Sequence, residues 1–211
     1  MDDSGPGTHG ELAYETPATA AKYAETYLKV SGAAPHDLAD IIALTDKLSN
    51  APQATYRADI SQRLDFDQWL RFLALDSLIG NGETGLQTGQ GTDVVLYHLP
   101  SSDRILLVPH ELRAILGRGA SAGTETRSLF SSDATAGLNR MMTHPDVLAA
   151  CIKTVQELLD TIFTATVLDL LGVWHDPALV PFRQKMLGVS LLGAEPNPRA
   201  LPLTNCAGVW S

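Results

Sequence analysis

Cysteine is scarce in this chain, and the two that occur rule out several kinds of stabilisation. Cys151 and Cys206 lie far apart in the 211 residues and form no C-x-x-C pair. That spacing excludes a disulfide framework and a paired-cysteine metal site, and it is consistent with a reducing compartment. Aromatic residues are also few, at 6%.

Positive charge and long apolar runs are lacking as well. The chain has 15 Lys and Arg against 24 Asp and Glu, a formal net charge of −9, and a pI near 5.0. Because no basic stripe is present, nucleic acid is not expected as a partner. No apolar run is long enough to span a membrane, so no membrane partner is expected either. The opening MDDSGPGTHGE has no signal-peptide pattern, and membership in a longer, exported protein stays an alternative.

The remaining composition predicts a globular domain with a sizeable core. Apolar residues make up 45% of the chain, and the mean hydropathy is +0.02. Helical periodicity predicts helices over residues 18–30, 37–48 and about 65–79. The third helix has the clearest signals, because Asp65 with Gln68 resembles a capping box and Gly80 is a stop.

The middle and the second half of the chain carry different patterns. A short polar turn separates two strand-like runs, residues 93–99 and 104–108. This pattern predicts a β-hairpin. Residues 118–137 are polar and small, and we predict a long loop there. A core helix is expected from Pro145 to about Leu171, with His144 or Thr143 as its cap. A short helix over 176–186 and an irregular tail are expected to follow.

The order of these pieces resembles a known family. The helix LDFDQWLRFLALDSLIGNGE, a glycine-rich loop, the strand DVVLYH and the strand end LVPHELRAILG are similar to the CotH family of spore-coat-associated protein kinases, which have an atypical kinase fold. The resemblance covers roughly residues 10–185. It implies a mostly helical α+β domain, the C-lobe of that fold, with one central hairpin. The expected organisation is a flexible segment over 1–15, the domain over 16–187 and an irregular tail over 188–211.

At several positions of the family's motifs, this chain has a different residue. Glu83 replaces the aspartate after Gly-Asn, and Asp93 replaces the asparagine that opens the next strand. His110, Glu111 and Arg113 replace the tryptophan and the two aspartates after the proline. A kinase-type site would hold magnesium with ATP through Glu83, Asp93 and Glu111, but Arg113 brings a positive charge to it. Loss of kinase activity is therefore expected.

A second chemical motif follows closely. Residues 119–123 read GASAG and match G-x-S-x-G, in which small neighbours let a serine hydroxyl stand exposed on a sharp turn. If Ser121 is a nucleophile, His110 or His98 is the candidate base, and Glu111 or Asp93 is the candidate orienting carboxylate. A flexible glycine-serine loop is the alternative interpretation of the motif.

Three hypotheses about function follow from the sequence. The first, which we favour, is hydrolysis of a small-molecule carboxylic ester through Ser121, without a cofactor. The second is residual phosphoryl transfer with magnesium and ATP. The third is a non-catalytic domain that binds a partner, and self-association into a homo-oligomer is a further expectation.

Overall fold

The computed structural model describes residues 12–30, 37–81, 94–109, 112, 115–116, 136–164 and 166–167. Within these residues the chain forms helices joined to one β-hairpin. The helices are α1 (Ala20–Tyr23), α2 (Ala39–Asn50), a 3-10 turn (Gln53–Thr55), α3 (Tyr56–Ile60), α4 (Phe66–Ile79), α5 (Ala136–Thr143) and α6 (Pro145–Thr161). The strands are β1 (Val94–Leu99) and β2 (Arg104–Pro109). The predicted class, mostly helical α+β with one hairpin, is confirmed.

Helix α4 begins and ends at the residues that the sequence indicated. The Asp65 side chain accepts a hydrogen bond from the Gln68 N–H at 3.1 Å, which satisfies one of the free donors of the first turn. Gly80 then takes a left-handed conformation (φ 58°, ψ 48°), which glycine adopts without steric cost. Between these caps the helix buries one continuous face against the rest of the protein: Phe66, Trp69, Leu70, Leu73, Ala74, Asp76, Ser77 and Leu78.

The predicted hairpin is confirmed. Its strands pair antiparallel from Val94 opposite Pro109 to Leu99 opposite Arg104. Ile105 and Leu107 on β2 are buried, whereas Tyr97 and Val108 are exposed. The hairpin therefore packs one face on the helices, in the alternating pattern of a half-buried sheet.

The core lies where the helices meet. α4 packs against α6 and β2, and α2 packs against α5. Trp69, Tyr23 and Tyr56 are fully buried there. Burial of a large apolar side chain contributes about 1.5–3 kcal/mol, so these contacts are the main source of stability.

The helix predicted over 18–30 is wrong in length, since α1 ends at Tyr23. Both tyrosine hydroxyls in this segment accept hydrogen bonds from the preceding chain: Tyr27 from the Leu12 N–H and Tyr23 from the Glu15 N–H. These long-range bonds fix the segment as turns, and Leu28 and Val30 beyond them are exposed. Tertiary contacts thus override local helix propensity.

Two further boundaries differ from the prediction. The helix after Pro145 ends at Thr161 instead of Leu171, because the N–H groups of Ile162 and Phe163 both turn back to the Leu158 carbonyl. α5 (Ala136–Thr143) begins within the last two residues of the segment that we predicted as a loop, and no helix was predicted there. The predicted helix over 176–186 and the tail lie outside the described residues. Leu12 is buried, and residues 1–11 also lie outside the described part, so the domain bounds stay a prediction.

Candidate functional site

The C-terminal end of α4 has an unusual concentration of buried polar side chains. Asp76 is 4% exposed, Ser77 is 1% exposed and Asn81, just past the helix, is 5% exposed. The backbone there is closed by the Gly80 N–H donating to Ser77 and the Asn81 N–H donating to Asp76. Buried polar groups are retained where they are hydrogen-bonded, so this end of the helix is a specific polar environment inside an apolar domain.

The chain returns to this polar end after the hairpin. The Leu116 N–H donates to the Ile79 carbonyl at 2.7 Å, and Leu116 has a φ of 55°. A positive φ is uncommon for leucine and marks a tight turn. The segment that follows β2 therefore comes back to the same helix end from which the chain departs toward β1.

The opposite end of α4 holds β2. The Trp69 indole Nε1 donates to the Ile105 carbonyl at 2.7 Å, and the Gln68 side chain bonds to the backbone of Leu107. Both contacts cross about forty positions of sequence. The strand end at Pro109 is thus fixed relative to α4 by buried and half-buried hydrogen bonds.

His98 is the one predicted catalytic residue within the described part of the chain, and it lies between two carboxylates. Its Nε2 is 2.9 Å from Asp103 Oδ1, and its Nδ1 is 3.6 Å from Asp40 Oδ2. Each carboxylate also has a cationic partner: Arg63 Nη1 is 2.6 Å from Asp103, and Lys29 Nζ is 3.7 Å from Asp40. The imidazole is therefore engaged in a surface charge network that joins α2 to the hairpin turn.

This position separates His98 from the end of β2. His98 is opposite Ile105, four residues before Pro109. At 3.2–3.4 Å per strand residue, that is about 13 Å along the sheet. The described residues therefore do not bring His98 to the point where the chain leaves β2.

The other predicted site residues lie outside the described residues. They are Ser121, His110, Glu111, Asp93, Glu83 and Arg113, and their roles stay predictions. Within the described ranges, no group of three or more His, Cys, Asp or Glu side chains has an arrangement able to hold a metal ion. In the same ranges, no helix is long and apolar enough to cross a membrane.

Cys151 is the described cysteine, and its surroundings exclude a nucleophilic role near neutral pH. It is fully buried on α6, and burial raises the pKa of its thiol to about 12. A thiolate is the reactive form of cysteine, and a thiol with this pKa is protonated at pH 7. Cys151 is therefore a core residue.

Two contacts around the hairpin were not visible in the sequence. Gln68 was interpreted only as part of a helix cap, yet its side chain bonds to β2. Asp40 approaches His98 from a different helix, so no local pattern could pair them. Asp76 and Asn81 offered a usable signal, because polar residues on the buried face of a helix indicate a specific hydrogen-bonding role.

Comparison with known protein families gives a match over most of the chain. The family model for the CotH kinase protein matches residues 11–169, which include every described element. No curated protein sequence matches the chain.

Proposed function

Because the chain belongs to the CotH kinase protein family, we propose that it keeps that family's fold but no longer carries out metal-dependent phosphoryl transfer. The observation that carries the proposal is Arg113, which stands where the resemblance implies the second aspartate after the strand-ending proline. We further propose that the chemistry at this end of the hairpin is ester hydrolysis through Ser121.

The donor set does not fit a magnesium–nucleotide site. Mg²⁺ prefers a compact octahedral set of oxygen ligands, and Glu83, Asp93 and Glu111 could supply three carboxylates. Arg113 adds a permanent guanidinium charge two residues after Glu111. That charge would repel a cation held by these three carboxylates. No phosphoryl-transfer step is therefore assigned to this chain.

A calorimetric titration with magnesium and ATP tests the loss of phosphoryl transfer. The wild type is expected to give no binding heat at micromolar nucleotide. Arg113→Asp serves as the matched variant, and it should gain measurable magnesium binding, because a repelling charge is replaced by a ligand. Micromolar affinity or autophosphorylation in the wild type would contradict the proposal and favour the kinase alternative.

The ester-hydrolysis proposal assigns each step to a residue of this chain. His110 takes the proton of the Ser121 hydroxyl as its oxygen attacks the ester carbonyl carbon, and then returns that proton to the leaving alcohol. Water, activated by the same imidazole, cleaves the acyl-serine and releases the acid. Glu111 orients the imidazole, with Asp93 as the alternative carboxylate, and N–H groups of the glycine-rich 119–123 segment stabilise the oxyanion.

The placement of His98 favours His110 as the base. His98 is held by Asp40 and Asp103 about 13 Å before the end of β2, whereas His110 directly follows the last strand residue, Pro109. A base must come within hydrogen-bond reach of its nucleophile. Ser121 is eleven positions after His110 in the same connecting segment.

Hydrolysis of a short p-nitrophenyl ester tests the second proposal. Ser121→Ala should lower turnover about a thousandfold or more, as removal of a nucleophile does. Ser102→Ala, in the exposed hairpin turn, is the matched control and should leave turnover unchanged. If the wild type does not hydrolyse the ester, or Ser121→Ala retains full turnover, Ser121 is a loop residue and a binding role becomes the better interpretation.

A further inference from the structure

Strand β2 has a partner on each side, although the described sheet has two strands. β1 pairs with one edge. On the other edge, the Ile105 N–H donates to the Arg63 carbonyl at 2.8 Å, and the Ile105 carbonyl accepts from the Asp65 N–H at 3.2 Å. Residues 63–65 therefore act as a minimal third strand just before α4 begins.

Gln68 continues this pairing after the main chain has turned into the helix. Its Oε1 accepts from the Leu107 N–H at 3.0 Å, and its Nε2 donates to the Leu107 carbonyl at 2.6 Å. A side-chain amide presents the same donor and acceptor as a peptide unit. The Gln68 amide thus substitutes for the next residue of the third strand and satisfies the edge of β2.

This pairing controls where the chain leaves the sheet. Leu107 is two residues before Pro109, and the segment after Pro109 is held again where the Leu116 N–H bonds to Ile79. Both attachment points belong to α4. A rigid helix therefore sets the two ends of the connection that carries His110 and Glu111.

We propose that Gln68 is a positioning residue, whose side-chain amide fixes β2 and the connection after Pro109 on α4. Its importance for catalysis depends on the proposed ester hydrolysis, but its effect on the backbone does not. Two requirements select glutamine here. The side chain must be long enough to reach a strand from the first helical turn, and it must both donate and accept.

Amide hydrogen exchange tests this directly, with Gln68→Leu and Gln68→Glu in the full chain. In Gln68→Leu, the protection of the Leu107 amide should fall about tenfold, the equivalent of one hydrogen bond. The Leu116 amide should lose protection as well, because the connection shifts. The Leu106 and Val108 amides, which face β1, should change less.

Gln68→Glu supplies a readout that a general loss of stability would not give. Below the ordinary carboxyl pKa of about 4.3, the introduced group can donate to the Leu107 carbonyl and accept from its N–H, like the amide. Above that pH, the carboxylate faces the carbonyl oxygen and the pair is lost. Protection of Leu107 and Leu116 should therefore return on acidification. Gln62→Glu, with an exposed side chain, is the matched control and should show no such recovery.

The outcomes separate this proposal from the proposed function. Unchanged Leu107 protection in Gln68→Leu, or no recovery in acidified Gln68→Glu, would overturn the anchoring. Loss at Leu107 with an unaffected Leu116 amide would overturn the positioning role.

In the ester assay, Gln68→Leu should lower kcat about tenfold at nearly constant KM. If the wild type is inactive, the ester proposal fails and the exchange data still decide the role of Gln68. If Gln68→Leu does not fold, Gln68→Glu compared at two pH values decides it.

Discussion

Trp69 donates its indole N–H to the carbonyl of Ile105 at 2.7 Å, which joins the first turn of α4 to the second residue of β2. The ring is fully buried, so the contact combines a hydrogen bond with a large apolar surface. Trp69→Phe keeps most of the surface. Because the Asp65 N–H still satisfies the carbonyl, we expect a loss of only about 1 kcal/mol in urea unfolding. Trp69→Ala should cost about 3–5 kcal/mol. Equal losses of stability in the two variants would contradict the larger contribution that we assign to the buried apolar surface of Trp69.

Gly137 on α5 is in contact with the carbonyl oxygen of Leu12, and a Cβ at this position would overlap that oxygen. Alanine has a helix propensity about 1 kcal/mol better than glycine, but backbone atoms cannot yield as a flexible side chain can. Gly137→Ala should therefore lower the free energy of unfolding by about 1–3 kcal/mol. Ala149→Gly, exposed on α6, is a control for propensity alone, at about 1 kcal/mol. A stabilised Gly137→Ala would show that the Leu12 segment does not pack there.

Because of Cys151, the free energy of unfolding should decrease as the pH rises into the alkaline range. Burial raises the pKa of its thiol from 9.0 to about 12 in the folded protein. The unfolded chain therefore releases this proton at a lower pH, so the contribution to stability is complete below about pH 9 and is lost as the pH rises toward 12. The expected slope reaches about 1.4 kcal/mol per pH unit. Urea unfolding of wild type and Cys151→Ala between pH 8 and 11 should give a stability difference that shrinks with pH. A constant difference would rule this out.

The two histidines of the candidate site should respond differently to substitution. His110→Ala is expected to lower ester turnover about a thousandfold with little change in Tm, because it removes the proposed base. His98→Ala should instead leave turnover nearly unchanged. It should lower Tm slightly, because Asp40 and Asp103 lose their shared imidazole partner at the surface. If turnover is lost in His98→Ala and kept in His110→Ala, the base is His98.

Much of the fold was predictable because its strongest signals are local. The Asp65 cap, the Gly80 stop and the alternation of the hairpin each depend on neighbouring residues, and each was found as predicted. α5 was missed because its second residue is Gly137 and a polar stretch precedes it. Its signal was the helical spacing of Leu138, Met141 and Met142, all of which are buried. The true extent of α1 could not be predicted, since it depends on tyrosine hydroxyls that bond to Leu12 and Glu15.

The same limit applies to the candidate site. His98, His110 and Ser121 are close together in the sequence. Residues that are close in sequence can still lie far apart in space when an extended strand separates them. In the hairpin register, His98 lies near the turn, opposite Ile105, and Asp40 on α2 contacts it there. Gln68 acts on β2 through its side chain, which only a structure can show.

Arg140 has a consequence for how this chain folds during synthesis. Its guanidinium lies over the Tyr56 ring and donates to the carbonyls of Leu48 and Ala51, closing the end of α2 from 92 positions away. At about 5–20 residues per second, roughly 5–20 s pass between synthesis of Leu48 and of Arg140. During that interval the apolar surface around Leu48 and Tyr56 is uncovered on the nascent chain. Chaperone binding in this window, and aggregation when translation pauses before α5, are the expected results.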